Sequence, residues 1–256
     1  MMKEWTVLCD RISSVGRIAV SFSGGIDSTV LLAAAVRTLP DDHLAVFADI
    51  PLLSDRQRRT AANIAGELGA DLIALRLGWE DMPGVQNNRE DRCYICKTAI
   101  YSALRRAASD KGFEICADGE NSSDKGDERP GRRAAAELGI ISPLKDLGFT
   151  KGTVMKMFSG LGLTTDVQKE TCMATRLPAD TFFDDSDIRL IERCEKLIRD
   201  ISGVRQIRMR IRNGTAHLFT GPDSIHLLLA NENELSCSLR ENGIAGIKIN
   251  MKGYDG

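Results

Sequence analysis

Apolar and polar positions alternate along the chain in two textures. Residues 18–22 form a short continuous apolar run rich in β-branched residues, stopped by Ser23-Gly24-Gly25. Such a run between turn signals predicts a buried strand. Before it, Trp5, Leu8, Cys9 and Ile12 recur at helical spacing, and after it residues 29–36 are apolar and helical. Residues 44–48 and 71–77 read as further strands. The helix between them opens at Ser54 with Gln57 three residues on, a capping box, and closes at Gly69. A helix over about 92–111 leads to a fourth strand at 113–117. Strands alternating with helices at this spacing predict a parallel α/β sheet. Residues 118–132 form a long charged loop at the carboxyl end of that strand, where open α/β sheets bind ligands.

Beyond Pro143 the texture changes. Helices are expected over 150–161, 185–201 and 224–239, and strands over 204–211, 215–220 and 244–250. Asn213-Gly214 between two of these strands is a strong hairpin signal. The expected organisation is a larger parallel α/β domain over 1–178 and a small α/β domain over 179–256.

Composition narrows the function classes. Of 256 residues, 43% are hydrophobic and 27% charged, as in soluble globular proteins. A net charge of −2 gives no basic field, so nucleic acid is not an expected partner. Lys3, Glu4, Asp10 and Arg11 interrupt the first fifteen residues, leaving no secretory apolar core. The longest apolar run, 30–36, is too short to span a bilayer. A cytoplasmic protein without membrane contact is expected. Its seven cysteines are then reduced thiols, pointing to metal or catalysis before disulfides.

The first candidate chemistry lies at Ser23-Gly24-Gly25-Ile26-Asp27-Ser28. A strand turning through glycines into a helix presents free backbone N–H groups and the positive end of a helix dipole, which together bind anions. Ser23 and Ser28 add hydroxyl donors. A carboxylate at Asp27 repels phosphate unless a divalent cation lies between, so the loop implies a nucleotide phosphate with Mg²⁺. No Lys follows the glycines, which excludes the P-loop pattern. S-G-G-x-D-S resembles the PP-loop of ATP pyrophosphatases, which cleave ATP between the α and β phosphates. Asp49 and Asp118, read as ending adjacent strands, are expected to meet ribose, adenine or metal.

Two more groups stand out. Cys93 and Cys96 form a C-x-x-C at a helix start, flanked by Arg92 and Lys97, and Cys172 lies in an irregular segment beside Arg176. One C-x-x-C is half a zinc site. With Cys172 it makes a three-thiolate set able to hold a [4Fe–4S] cluster with one iron open. Three unrelated core thiols are the plainer reading. Cys9, Cys116, Cys194 and Cys237 read as packing. On the strand near 204–212, Arg208, Arg210 and Arg212 alternate with Ile207, Met209 and Ile211. Stacked guanidinium groups suit phosphate or carboxylate, or else face solvent.

The motifs S-F-S-G-G-I-D-S, D-R-C-Y-I-C-K, A-D-G-E-N-S-S-D-K-G-D-E-R-P-G-R-R-A-A-A-E-L-G, S-P-L, T-C-M-A-T-R and I-R-M-R occur in this order. Together they resemble the LarE family of ATP-dependent sulfur transferases, over about residues 15 to 215. The resemblance implies a PP-loop domain that binds ATP phosphates through Ser23, Gly24, Gly25, Asp27 and Ser28. It implies adenylation of a carboxylate of a small acidic substrate, a pyridinium dicarboxylate, and replacement of AMP by sulfur on the way to a nickel-pincer cofactor. Arg176, Arg208 and Arg210 would hold that substrate or a phosphate, and a homo-oligomer is expected. Catalytic roles fall to Asp27 and Cys172. In some members this cysteine gives up its own sulfur and becomes dehydroalanine. In members with three active-site cysteines a [4Fe–4S] cluster is thought to carry an extra sulfide, and Cys93, Cys96 and Cys172 match that type. The sequence does not name the sulfur donor. Ala179-Asp180 stand where the family shows an aromatic-Gly pair, and Lys169-Glu170-Thr171 where it has Pro and small residues. A PP-loop ligase, a tRNA thiolase and a nucleotide-binding module with structural zinc are the rival readings.

Overall fold

The computed structural model describes residues 3–123 and 130–253. The chain divides into two compact units, Met1–Val85 with Asp91–Glu170, and Gln86–Glu90 with Thr171–Gly256.

The first unit is built on strands β1 (Ile18–Ser21), β2 (His43–Asp49), β3 (Leu72–Arg76) and β4 (Ile115–Ala117). They pair in the order β3-β2-β1-β4, all parallel, with Val20 level with Ala45 on one side and Ala117 on the other. Helices α1 (Lys3–Val15), α2 (Ile26–Thr38), α3 (Asp55–Leu68), α4 (Arg92–Ser109), α5 (Pro130–Glu137), α6 (Pro143–Asp146) and α7 (Lys151–Ser159) surround this sheet. Strand period sorts the core. Ile18, Val20, Ala45 and Phe47 pack with residues of α1, α2, α3 and α7, while Ala19, Leu44 and Val46 pack with residues of α4 and α5. Both sheet faces are therefore covered, which is why β1 reads as a continuous apolar run rather than an alternating one. The capping box at Ser54 and Gln57 is present, and Gly69 ends α3 in the left-handed conformation at φ 66°.

The expected α/β class is borne out. Three details differ. α2 starts at Ile26 rather than near residue 29, so Asp27 and Ser28 lie in its first turn. α5 begins inside the expected long loop, of which residues 124–129 lie outside the described residues. β1 lies between β2 and β4, so Asp49 and Asp118 do not end adjacent strands.

The second unit carries β5 (Arg208–Arg212), β6 (Thr215–Phe219) and β7 (Gly246–Ile249), with β5/β6 antiparallel and β6/β7 parallel. The hairpin turns at Asn213 and Gly214, both at positive φ (49° and 73°), as a two-residue turn matched to strand twist requires. Met209, Ala216 and Leu218 are buried on one sheet face, and helices α8 (Asp185–Ser202), α9 (Ile225–Ala230) and α10 (Glu232–Glu241) complete the unit. The single helix expected over 224–239 is two helices. Asn231 separates them, its side-chain amide donating back to the Leu227 carbonyl at 2.8 Å. No helix among the described residues is long and apolar enough to cross a membrane.

Candidate functional site

β1 delivers the chain to Phe22, and the turn that follows needs its glycine. Gly24 has φ 72°, and a Cβ there would lie 2.8 Å from the Ala61 backbone of α3. The loop is braced from within. Ser28 Oγ donates to the Gly25 carbonyl at 3.1 Å and accepts from the Ser23 N–H at 3.2 Å, and Thr29 Oγ1 donates to the same carbonyl at 2.8 Å. The loop thus sits at the N-terminus of a thirteen-residue helix, α2. Gly119, just after β4, lies against that same helix start: a Cβ there would approach Ser28 N to 2.6 Å.

A cleft of about 500 Å³ opens beside this loop, lined also by Cys93, Lys97 and Tyr101 of α4 and by Asp118 and Arg132. Asp27 is held at its mouth by two contacts. Lys151 Nζ lies 2.6 Å from Oδ2, and Asn121 Nδ2 donates to Oδ1 at 3.2 Å. Lys151 is the first residue of α7 and was not singled out in the sequence. Its only local signal is a Lys directly after the helix-capping Thr150, a few residues beyond S-P-L.

Asp118 is buried and accepts from Tyr101 Oη at 2.6 Å, Ser142 Oγ at 2.7 Å and the Glu120 N–H at 3.1 Å. Burial, reinforced by the Asp118 charge, pushes the Tyr101 phenol far up, so it stays protonated and donates. Asp118 thereby fixes the end of β4. Asp49 is occupied by Arg58, whose Nε lies 2.7 Å from Oδ1, and does not line the cleft. Glu120 is paired with Arg132, with Lys145 Nζ 3.7 Å away.

Cys93 and Cys96 lie one turn apart at the start of α4. Cys93 is exposed, with Arg92 Nη2 3.6 Å from its sulfur, and Cys96 is half-buried. Two thiols so spaced match two corners of an iron–sulfur cluster. Cys172 belongs to the second unit. Among the described residues, no three His, Cys, Asp or Glu side chains are gathered as metal ligands. Of the cysteines read as packing, Cys116 and Cys194 are buried and Cys237 is exposed.

In the second unit Cys172 is half-buried at the start of a 3₁₀ turn, Met173–Arg176, whose Met173 and Ala174 are buried. Its carbonyl accepts from the Thr175 N–H at 3.0 Å, Thr175 Oγ1 at 2.7 Å and Arg176 Nη1 at 2.9 Å. Arg176 is 1% exposed, beneath the turn rather than on its surface, and pairs through Nε with Glu195 Oε1 at 3.0 Å. Asn88 also supports this segment. It is 2% exposed and its amide donates to the carbonyls of Pro178 (2.6 Å), Ala174 (3.3 Å) and Leu177 (3.4 Å). Asp180, in the place of the expected Gly, has φ 53°, so the backbone keeps a glycine-like conformation without the glycine.

On β5, Arg208 is 3% exposed and donates from Nη1 to the Ile207 carbonyl at 3.0 Å. Arg210 is half-buried with its guanidinium 5.0 Å from the Phe219 ring centre, and Arg212 is exposed. Arg210 and Arg212 share a cleft of about 400 Å³ with Thr175, Arg176 and Pro178. The end of the arginine strand and the segment just after Cys172 therefore line one cavity, with Cys172 and Arg208 outside its lining.

No family model matches the chain. The pyridinium-3,5-bisthiocarboxylic acid mononucleotide synthase of Lactiplantibacillus plantarum is 30% identical over 245 residues, covering 95% of this chain and 88% of that protein. An uncharacterized protein of Synechocystis sp. is 28% identical over 93% of this chain and 90% of its own length. A GMP synthase of Campylobacter hominis is 27% identical over 182 residues, 63% of this chain and 35% of that enzyme. The glycine loop before α2, the parallel sheet behind it and near full-length similarity to the Lactiplantibacillus synthase agree, and the chain belongs to the LarE family of PP-loop proteins.

Proposed function

We propose that this protein is an ATP-dependent sulfur transferase. It adenylates a carboxylate of a pyridinium dicarboxylate-type substrate, releases pyrophosphate, and exchanges AMP for sulfur to give a thiocarboxylate. The observation that carries this reading is the glycine loop at the start of α2, opening on a cleft lined by Asp27, whose carboxylate pairs with Lys151. A carboxylate and an ammonium paired beside an anion-binding loop suit a nucleotide with magnesium. Asp27 would hold the ion, which when bound neutralises phosphate charge, and Lys151 would turn to the phosphates. Ser23, Gly24, Gly25 and Ser28 donate to phosphate oxygens.

The substrate carboxylate attacks the α-phosphorus and pyrophosphate leaves. Arg210 holds the acidic substrate in the second unit, while buried Arg208 and Arg176 support the walls of that cavity. Sulfur presented at Cys172 then attacks the acyl carbon, and AMP departs with the bonding electron pair. For the sulfur source we favour Cys93, Cys96 and Cys172 as ligands of a [4Fe–4S] cluster, which when bound offers an open iron to added sulfide. The other source is the Cys172 sulfur itself, leaving dehydroalanine. Under the cluster reading C93A, C96A and C172A each lose iron; under the sacrificial one only C172A is inactive and the wild type loses the mass of H₂S in one turnover.

The deciding experiment is pyrophosphate release from ATP with a pyridine dicarboxylate acceptor, in wild type and Asp27→Ala. Release should depend on acceptor and vanish in the variant; unchanged release in Asp27→Ala would overturn the assignment.

A further inference from the structure

We infer that Glu195 is a positioning residue that sets the Cys172 turn against the arginines of β5. What the turn does rests on the sulfur-transfer reading; how it is held rests on the geometry alone.

Glu195 projects from α8 and is 4% exposed. One of its oxygens, Oε1, makes two bonds. It accepts from Arg176 Nε at 3.0 Å and from the Met209 backbone N–H at 2.9 Å. Arg176 passes the grip on. Its Nη1 donates to the Thr171 carbonyl and hydroxyl, both at 2.7 Å, and to the Cys172 carbonyl at 2.9 Å. Met209 stands between Arg208 and Arg210 on β5. A single carboxylate oxygen thus joins the backbone under the cysteine to the strand that carries the arginines.

Charge alone does not explain the arrangement. An ion pair this deeply buried is costly to desolvate, and an apolar pair of similar volume would fill the space as well. An apolar pair would leave the Met209 N–H unbonded, since β5 is an edge strand in the order β5-β6-β7. It would also take the guanidinium donor from the Thr171 and Cys172 carbonyls, leaving the Cys172 carbonyl to Thr175 within its own turn. The carboxylate–guanidinium pair meets all these demands at once and ties the cysteine to the strand of Arg210 through two buried bonds at Glu195 and the part-buried bonds of Arg176 Nη1.

The test compares Glu195→Leu and Glu195→Gln in the full chain, well below their unfolding temperatures. Three quantities are read: the rate of Cys172 alkylation by iodoacetamide, followed by peptide mass; calorimetric binding of pyridine-3,5-dicarboxylate; and ATP affinity. Loss of the linkage in E195L should change the alkylation rate and weaken dicarboxylate binding, each about tenfold, the worth of one charge-assisted bond. E195Q keeps an amide oxygen that can accept from both donors and should stay close to wild type. ATP affinity should hold in both. A folded E195L that matches wild type in alkylation and dicarboxylate binding overturns the inference, as does E195Q being impaired as severely as E195L. If E195L does not fold, Arg176→Lys decides. It keeps the charge beside Glu195 but has no second nitrogen for the two carbonyls, and an unchanged alkylation rate there overturns the inference. Should wild type fail to bind the dicarboxylate, the sulfur-transfer reading falls, while the alkylation comparison still decides the role of Glu195.

Discussion

The glycine loop and the Cys172 turn present functional atoms by opposite means. The loop is made of backbone, with Gly24 supplying the conformation and Ser23, Ser28 and Thr29 bracing it within seven residues of one another. The Cys172 turn is held by side chains distant in sequence, Asn88 from before α4 and Glu195 from α8, the latter acting through the turn's own Arg176. The first kind of site tolerates little change at its glycines. The second tolerates change on its surface but not in its buried supports.

Four substitutions sharpen that contrast. The largest effect is expected at Gly119, where a Cβ would lie 2.6 Å from Ser28 N and both neighbours are backbone. Gly119→Ala should destabilise the first unit by about 1–3 kcal/mol through overpacking and displace the loop, so ATP affinity falls with the unfolding midpoint. A variant of wild-type stability that binds ATP normally would show that the loop yields more easily than described. Asn88→Ala follows. Three carbonyls, that of Ala174 among them buried, lose their shared donor, at a cost of about 1–3 kcal/mol in urea unfolding, with ATP affinity unaltered. If it weakened ATP binding instead, the two sites would not be separable in this way.

Lys151→Met should weaken ATP binding by about tenfold, the loss of one charge-assisted contact, and leave dicarboxylate binding unchanged. Equal ATP affinity in calorimetry would remove Lys151 from the phosphate site. The smallest effect concerns His217, level with Arg210 on β5 and Lys248 on β7. Partial burial first, and then Arg212 and Lys248, hold its pKa below the ordinary 6.5. The unfolded chain therefore takes up this proton more readily. The stability His217 contributes is full above pH 6.5 and is lost as pH falls through its lower folded value. His217→Gln should flatten the unfolding midpoint slightly below that pH, and an unchanged profile would discard the effect.

The same contrast explains what could be read in advance. The loop, α3 with its capping box, the parallel sheet and the Asn213-Gly214 hairpin are local in origin, and local sequence shows them. Lys151, Asn88 and Glu195 were not legible, because each acts on a residue brought near only by folding. Arg208 and Arg210 were expected on one strand face by the period of two, yet alternation cannot tell a buried guanidinium from an open one. Arg208 is 3% exposed and Arg210 lines a cavity. The break at Asn231 was missed for a related reason: helix periodicity continues across it, and only the amide folding back on Leu227 reveals it.

Residues Gln86–Glu90 are counted with Thr171–Gly256, although α4 and β4 stand between them in sequence. The polypeptide therefore passes from one unit to the other three times, not once. No single cut yields both halves whole. A fragment beginning at residue 171 would lack the amide that ties the chain between Ala174 and Pro178, and a fragment ending at residue 170 would carry that strap with nothing to bind. The Cys172 turn thus depends on five residues, 86–90, supplied from within the sequence span of the first unit.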